Sequence, residues 1–327
     1  MPMSRRFTVA ILSDIHYAGP AEQARGDDYE FARITNPLIR RPFRFVRNLA
    51  WIKHPMGQNQ QLDRFLAAAG EPDAVIANGD FACDCESLGL ADEATLESAR
   101  ECVGRLRARF GGRLQLTVGD HELGKLSLFG ERGGLRLESW RRGLAEFNLQ
   151  PCWKVELGNY VLLGVASTLI ALPMFTRDLL PVEQPAWEKL RAAHLEEIRA
   201  AFHTLQPHQR MLLFCHDPTA LPVLWREDAV RSKLGQVEQT VIGHLHSNLL
   251  LWKSRMLAGM PVIRFLGGNV ERMSTALNEA RRWKEFRVRL CPALAGIELL
   301  NDGGFFTAAL DAEARVPAQF QFHPLPR

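Results

Sequence analysis

The amino-acid sequence predicts an α/β fold in which short buried strands alternate with helices. The prediction rests on short apolar runs, on segments with helical periodicity, and on polar residues that follow each run directly. Five of the runs are rich in Val, Ile or Leu and are stopped by a polar residue: 7–13, 74–78, 114–118, 211–214 and 240–242. We expect the carboxyl ends of these strands to carry the chemistry.

Three segments have apolar residues three or four positions apart, which predicts helices that cover a sheet. They are residues 63–69, 93–110 and 185–205. Pro185 suits the first turn of the third helix. His194 lies inside the apolar stripe of that helix, so we interpret it as a packed histidine without a function.

The second half of the chain predicts further strands, at residues 160–166, 262–266, 295–300 and 305–310. Asn301-Asp302-Gly303-Gly304 separates the last two and predicts a β-hairpin over about 294–311. We expect the five C-terminal residues to be poorly ordered. The whole chain, 1–327, is interpreted as a single domain with an insertion at about 18–61.

The centre of this insertion is basic and aromatic, because residues 31–62 include six Lys or Arg residues and no acidic residue. Pro42 could occupy the first turn of a helix, which would place Arg40, Arg44 and Arg47 on one side. One interpretation is a lid whose arginines bind phosphate and whose aromatic residues bind acyl chains or a base. The alternative is a solvated basic face.

The composition argues against several classes of protein. The formal net charge is only +3, from 40 basic and 37 acidic residues, so nucleic acid is not the expected partner. No run approaches the roughly 18 apolar residues of a membrane span. The six cysteines follow no disulfide or zinc spacing, so we expect free thiols and a cytoplasmic protein, with peripheral membrane contact through residues 31–53.

Residues that bind hard metals follow the five predicted strands in one order. The segments are Asp14-Ile-His16, Gly79-Asp80, Gly119-Asp120-His121-Glu122, Cys215-His216 and Gly243-His244-Leu245-His246. Carboxylates with imidazoles favour first-row divalent metals such as Mn, Fe or Zn. In an Asp-x-His or His-x-His triplet, alternate residues share a face and can direct both side chains the same way.

This pattern resembles the calcineurin-like metallophosphoesterases, whose motifs run D-x-H, G-D, G-N-H-[DE], H and G-H-x-H. The match spans residues 14–246. The resemblance implies a two-sheet β-sandwich flanked by helices, in four α/β/β/α layers, and two divalent ions, with Mn expected and Fe or Zn as alternatives. It also implies that Asp80 bridges two metals, one held by Asp14, His16, Asp80 and His246 and the other by Asp80, Asp120, His216 and His244.

The mechanism that the resemblance implies is metal-assisted hydrolysis, in which a hydroxide bridging the two ions attacks phosphorus in line. His121 would lie outside the metal ligands and protonate the leaving oxygen. Glu122 would orient His121 and raise its pKa.

One position departs from the family pattern, because Asp120 stands where the family has Asn. A carboxylate only accepts hydrogen bonds and would repel phosphate. We therefore expect tighter metal retention with weaker phosphate binding, or a preference for substrates of lower charge such as diesters.

The expected activity is hydrolysis of a phosphodiester or pyrophosphate bond in a small-molecule or lipid substrate. The insertion gives an analogy to the UDP-2,3-diacylglucosamine pyrophosphatases, and makes Arg40, Arg44 and Arg47 candidate substrate-binding residues. A nuclease, a phosphomonoesterase and a non-catalytic scaffold remain as alternatives. We interpret Lys125, Arg177 and Arg272 as solvated charges.

Overall fold

The computed structural model describes residues 5–31, 34, 36–126 and 132–326. Ten strands in this part of the chain form two five-stranded sheets. They are β1 Arg6–Leu12, β2 Ala74–Asn78, β3 Leu114–Thr117, β4 Cys152–Leu157, β5 Tyr160–Val165, β6 Arg210–Cys215, β7 Val237–Ile242, β8 Val288–Leu290, β9 Gly304–Asp311 and β10 Gln319–Pro324. All five strands that were predicted to carry the chemistry are present.

Both sheets are mixed. The first has the order β10-β9-β1-β2-β3, and the second has the order β4-β5-β6-β7-β8. β1, β2 and β3 are parallel to one another, as are β5 to β8, while β9, β10 and β4 pair with their neighbours in the antiparallel direction. Each sheet therefore presents a row of parallel carboxyl ends at one edge.

The two sheets pack face to face around an apolar core. Successive side chains of a strand point to opposite faces. Val9 and Ile11 of β1 accordingly lie in the core between the sheets, with Leu212 and Phe214 of β6. Ala10 and Leu12 belong instead to the cluster that contains the helices. The α/β fold with two sheets flanked by helices is confirmed.

Twelve α-helices lie in the described residues, joined by short 3-10 segments. They are α1 Pro20–Gln23, α2 Pro37–Ala50, α3 Gln60–Ala68, α4 Glu93–Phe110, α5 Asp120–Leu123, α6 Leu137–Phe147, α7 Ser167–Ile170, α8 Gln184–His203, α9 Leu221–Arg226, α10 Asp228–Arg231, α11 Asn248–Met256 and α12 Gly268–Glu279. α4 has the predicted bounds, and α3 and α8 differ from theirs by a few residues. Phe65 of α3 and Trp187 of α8 are fully buried, as their apolar periodicity predicts.

Two predicted strands are absent, and the predicted hairpin lies elsewhere. Residues 262–266 contain no strand, and Phe265 and Leu266 are exposed there. Residues 295–300 form turns, because the Asp302 carboxylate accepts the Ile297 N–H and so closes the chain on itself. The hairpin instead pairs β9 with β10, residues 304–324.

The expectation of a poorly ordered C-terminus is also wrong for the described residues. His323 belongs to β10, and Leu325 is buried with its N–H donating to the Gly303 carbonyl. Arg327 lies outside the described residues.

The helix predicted in the insertion is α2, but Pro42 does not occupy its first turn. Pro37 does so, after Asn36, whose side chain accepts the Leu38 N–H and caps the helix. Pro42 lies inside the helix. Arg33 of the basic run falls outside the described residues.

Candidate metal centre

The seven predicted metal ligands converge at the carboxyl ends of the parallel strands. Asp14 and His16 follow β1, Asp80 follows β2, and Asp120 follows β3 at the start of α5. His216 follows β6, and His244 and His246 follow β7 in the second sheet. Because these ends lie on one side of the sandwich, residues more than 200 positions apart become neighbours.

A first group of possible ligand atoms comes from Asp80, Asp120, His216 and His244, which lie within 4.8 Å of one another. The His216 Nε2 is 3.1 Å from Asp80 Oδ2 and 3.2 Å from Asp120 Oδ1. The His244 Nδ1 is 3.0 Å from the same Asp120 oxygen. Two carboxylates and two imidazoles thus face a common point.

A second group consists of Asp14, His16 and His246. The His246 Nε2 is 3.3 Å from Asp14 Oδ1, and the two Nε2 atoms of His16 and His246 are 3.4 Å apart. A third group, of His16, Asp80 and His121, connects this set to the first. Asp80 therefore lies between the two candidate metal positions.

The backbone at these residues is held in an unfavourable conformation. Five of the seven have a positive φ, near 50–60°: Asp14, His16, Asp80, His244 and His246. Side-chain-bearing residues rarely adopt this left-handed region, and such strain concentrates at functional sites. The sharp turns direct the side chains inward from the strand ends.

Glycines allow the motif loops to approach each other closely. Gly79 has φ +90°, and a Cβ at this residue would lie 2.6 Å from His216 Nδ1. A Cβ at Gly119 would overlap Asp80, and one at Gly243 would overlap Ser13. These glycines are needed for space next to the ligands as well as for the turns.

The arrangement of atoms fits divalent metals. The His216 Nδ1 lies 2.6 Å from the Asn78 carbonyl and must donate to it, which leaves Nε2 to face Asp80 and Asp120. His216 Nε2 and Asp80 Oδ2 are both buried without a hydrogen-bond partner. Buried polar atoms without partners are costly, and a bound cation would satisfy both.

The acidic and imidazole groups perturb each other strongly. Burial raises the pKa of Asp14 to about 6, and burial together with His121 lowers the pKa of His16 to about 3. Burial also lowers the pKa of His216, but the carboxylates of Asp80 and Asp14 outweigh it and raise that pKa well above the ordinary value. Such dense negative charge in the interior favours cation binding.

His121 lies beside the ligands, and its orientation comes from the backbone. Its Nδ1 is 2.7 Å from the Cys83 carbonyl and donates to it, and its Nε2 is 3.8 Å from Asp80 Oδ2. The pKa of His121 is lowered, chiefly by burial and then by Lys125. The expectation that this pKa is raised is therefore wrong.

Glu122 has a different role from the one predicted. Its buried carboxylate accepts the backbone N–H groups of Asp80, Phe81 and Gly119, at 2.7–3.0 Å. It therefore joins the loop after β2 to the loop after β3. The group that holds the His121 ring is the backbone carbonyl of Cys83. Cys83 and Cys85 are buried in the same loop, and, like the other four cysteines, they form no disulfide.

Lys125, which sequence reasoning treated as a solvated charge, lies at the site. Its ammonium contacts Asp120 Oδ2, while Asp120 Oδ1 faces the two histidines of the first group. The added negative charge of Asp120 is thus offset by a neighbouring cation. A lysine five residues after Asp120 was the only sequence signal for this pairing.

The three candidate substrate-binding arginines are not equivalent. Arg47 is buried and pairs with Asp28 and Glu30, both 3.4 Å away, so it anchors α2 and is not free for substrate. Arg44 pairs with Asp28 at 3.0 Å, and Arg40 is exposed. Arg272 pairs with Asp178.

The insertion reaches the candidate metal ligands through Trp51, which follows α2. The centroid of the Trp51 ring lies 4.9 Å from that of His246. The Trp51 carbonyl also accepts the Glu298 N–H, at 2.7 Å. The C-terminal end of α2 is thereby fixed next to the second group of ligands.

This fold with two linked Asp/His groups defines the class of dinuclear metallophosphoesterases. A model of the calcineurin-like phosphoesterase family matches residues 7–248, and the chain belongs to that family of hydrolases. A search of curated proteins finds no match.

Solved structures with similarity to the chain include three enzymes. A dimetal phosphatase from Danio rerio is 14% identical over 96% of this chain and 98% of its own, with a TM-score of 0.49. Phosphopantetheinyl hydrolase from Mycobacterium tuberculosis is 14% identical over 73% and 83%, with a TM-score of 0.36. A purple acid phosphatase from yellow lupin is 10% identical over 99% and 53%, with a TM-score of 0.43.

Proposed function

We propose that the protein hydrolyses a phosphodiester or pyrophosphate bond with two divalent ions, Mn²⁺ in the first instance. The observation that carries the proposal is the pair of ligand groups joined through Asp80. Asp14, His16, Asp80 and His246 would hold one ion, and Asp80, Asp120, His216 and His244 would hold the other. Fe or Zn suits the same mixture of carboxylate and imidazole.

Two such ions would supply an activated water and neutralise charge on the phosphate. The remaining steps fall to the side chains of the chain itself. His121 Nδ1 donates its hydrogen to the Cys83 carbonyl, so Nε2 is the nitrogen that faces the substrate. Nε2 would deliver a proton to the leaving oxygen from the imidazolium form, which the carboxylates of Asp80 and Asp120 favour against the opposing effects of burial and Lys125. Glu122 keeps the loops of Asp80 and Asp120 together.

Lys125 supports a role in binding phosphate. Its ammonium lies on the Asp120 oxygen that faces away from the two histidines of the first group, and its side chain is partly open to solvent. A cation there offers hydrogen-bond donors to a phosphate oxygen that Asp120 alone would repel. A diester or diphosphate, with one negative charge on each phosphorus, fits this balance of charge.

We further propose that the substrate is amphiphilic. α2 carries large apolar side chains on its exposed face, and Trp51 connects its end to His246. Of the three candidate arginines, Arg44 and Arg47 pair with acidic residues, so Arg40 is the one proposed to bind a phosphate. Unpaired thiols support a reducing compartment such as the cytoplasm, with the protein at the inner face of the membrane.

The test is hydrolysis of p-nitrophenyl phosphate and bis-p-nitrophenyl phosphate by metal-stripped protein refilled with Mn²⁺. We expect turnover of the diester and its loss in His121→Ala, while the exposed His208→Ala retains it. Faster cleavage of the monoester would favour a phosphomonoesterase. Cleavage of DNA or RNA at the rate of the diester would favour a nuclease.

A non-catalytic scaffold is the remaining alternative. It predicts bound Mn²⁺ with no turnover of either ester, of nucleic acid or of a lipid diphosphate. Bound metal together with turnover that depends on His121 would exclude it.

A further inference from the structure

We propose that α2 and the segment from α11 to α12 form one docking surface for an anionic lipid bilayer. The surface borders the candidate metal centre. The benefit of docking, which is access to a substrate in the membrane, rests on the proposed function. Its test measures membrane binding directly and does not require turnover.

The polarity of α2 is opposite to that of a helix packed on a protein core. Leu38 is 80% exposed and Phe45 is 66% exposed, and Val46 and Leu49 are exposed beside them. At 100° per residue, Leu38, Phe45 and Leu49 fall on one narrow face. Water therefore meets a continuous apolar stripe, which is typical of helices that lie in a membrane interface.

The polar side of α2 holds the helix to the protein. Arg47 is buried and pairs with Asp28 and Glu30, and it donates to the Asp27 carbonyl. Arg44 pairs with Asp28 on the same side. These contacts fix which face of the helix is turned outward, so the apolar stripe cannot be covered by rotation of the helix without breaking them.

The charge of the helix favours an anionic partner. No Asp or Glu occurs from Pro37 to Lys53, and Arg41, four residues before Phe45 in α2, is exposed at the edge of the apolar stripe. Arginines at the edge of an apolar face can snorkel to lipid headgroups while the apolar residues enter the acyl region. Acidic headgroups add electrostatic attraction.

A second apolar element starts at the other side of the ligands. Ser247 caps α11 directly after His246, and Trp252 and Met256 of this helix are exposed. The loop that follows presents Phe265, 84% exposed, and Leu266, with Arg264 beside them.

Both elements are attached at His246, α2 through the Trp51 ring and α11 through the chain itself. A bilayer can engage two separated apolar elements at once, and docking at both would place the metal centre against lipid headgroups. Within the described residues, no helix has the length and apolar character to cross the bilayer, so contact would be interfacial.

The experiment is co-sedimentation of the full chain with vesicles of phosphatidylcholine alone and of phosphatidylcholine with 30% phosphatidylglycerol. We expect binding to the anionic vesicles to exceed binding to the neutral ones by at least tenfold. Phe45→Glu and Phe265→Glu should each lower the partition coefficient by about tenfold, because each puts a charge in place of an exposed aromatic side chain that would enter the bilayer on docking.

A matched pair of valines provides the control. Val46 lies on the apolar face of α2, while Val182 is 87% exposed in the turn before α8. Val46→Glu should weaken vesicle binding, and Val182→Glu should leave it unchanged. All four variants should retain hydrolysis of bis-p-nitrophenyl phosphate if the wild type shows it, which separates docking from catalysis.

Three results would overturn the proposal: no sedimentation with anionic vesicles, equal sedimentation with both kinds of vesicle, or binding that the substitutions do not alter. A concentration-dependent dimer that Phe45→Glu abolishes, without vesicle binding, would instead identify α2 as an interface between copies of the chain. Vesicle binding without turnover of any ester would leave the docking surface standing and refute only the proposed activity.

Discussion

Lys125 offers the sharpest prediction, because its partner Asp120 also faces the candidate metal position. Replacing Lys125 by Met removes the ammonium and keeps most of the apolar stem. We expect weaker binding of phosphate and tighter binding of Mn²⁺, since Asp120 would no longer share its charge with Lys125.

The magnitude follows from the position of the charge. At an effective dielectric constant of about 20, a unit charge roughly 5 Å from a phosphate oxygen contributes about 3 kcal/mol. The Lys125 side chain is 34% exposed, and screening by solvent reduces this value to about 1.5 kcal/mol. That energy corresponds to about tenfold in affinity.

The assay is a double-mutant cycle with Lys125→Met, Asp120→Asn and the combined variant. kcat/KM for bis-p-nitrophenyl phosphate and the inhibition constant of inorganic phosphate report substrate binding, and calorimetry reports Mn²⁺ affinity. Lys125→Met alone should lose about tenfold in kcat/KM and in phosphate affinity. The combined variant, which replaces an ion pair by two neutral groups, should recover to within about threefold of the wild type.

The matched control is Lys154→Met, because Lys154 has a similar exposure, 35%, and a carboxylate partner, Glu156, outside the metal centre. It should change none of the three quantities. Additive losses in the cycle, or an unchanged phosphate inhibition constant in Lys125→Met, would refute the pairing role of Lys125.

Three other substitutions test the architecture. Gly79→Ala should destabilise the protein by about 2 kcal/mol and lower its Mn²⁺ content, because the new Cβ would meet His216. Urea unfolding and elemental analysis measure the two effects. Gly26→Ala is the control, since Gly26 has a similar φ but open space around it, and this variant should keep the metal. Arg47→Ala should expose α2 to limited proteolysis while Arg41→Ala does not, and equal digestion of both would contradict the anchoring role. Burial lowers the pKa of His194 from 6.5 to about 4, so the unfolded chain binds the extra proton between these values. The free energy of unfolding should therefore fall by about 3 kcal/mol as the pH is lowered from 6.5 to 4. Urea unfolding at several pH values measures this change, and His194→Gln should not show it.

The candidate metal ligands could be located from the sequence because each follows a strand end. An apolar run followed by Asp or His gives both the position and the chemistry, and parallel strands bring such ends together. The same logic could not find Lys125, because a single lysine outside any motif resembles a solvated charge. Nor could it find the role of Glu122, whose partners are backbone N–H groups that leave no trace in the sequence.

The errors in the fold have a common physical origin, which is tertiary context. Residues 295–300 have a strand-like composition, but their backbone N–H groups are bonded outside any sheet. Ile297 N–H donates to the Asp302 carboxylate, and Glu298 N–H donates to the Trp51 carbonyl. The helical spacing of α2 places Arg40, Arg44 and Arg47 on one side, but it does not show that Arg47 on that side is turned inward. Arg47 decides this through the acidic residues at 28 and 30, a contact between distant side chains that periodicity does not encode.

The central claim is that the two linked ligand groups hold two metal ions that share Asp80. The most direct measurement is the number of Mn²⁺ ions bound per chain, by calorimetry and elemental analysis, in the wild type, His246→Ala and Asp80→Asn. Two ions in the wild type, one in His246→Ala and weakened binding at both positions in Asp80→Asn are the results we predict. One ion or none in the wild type, or two ions retained at full affinity in Asp80→Asn, would contradict the claim.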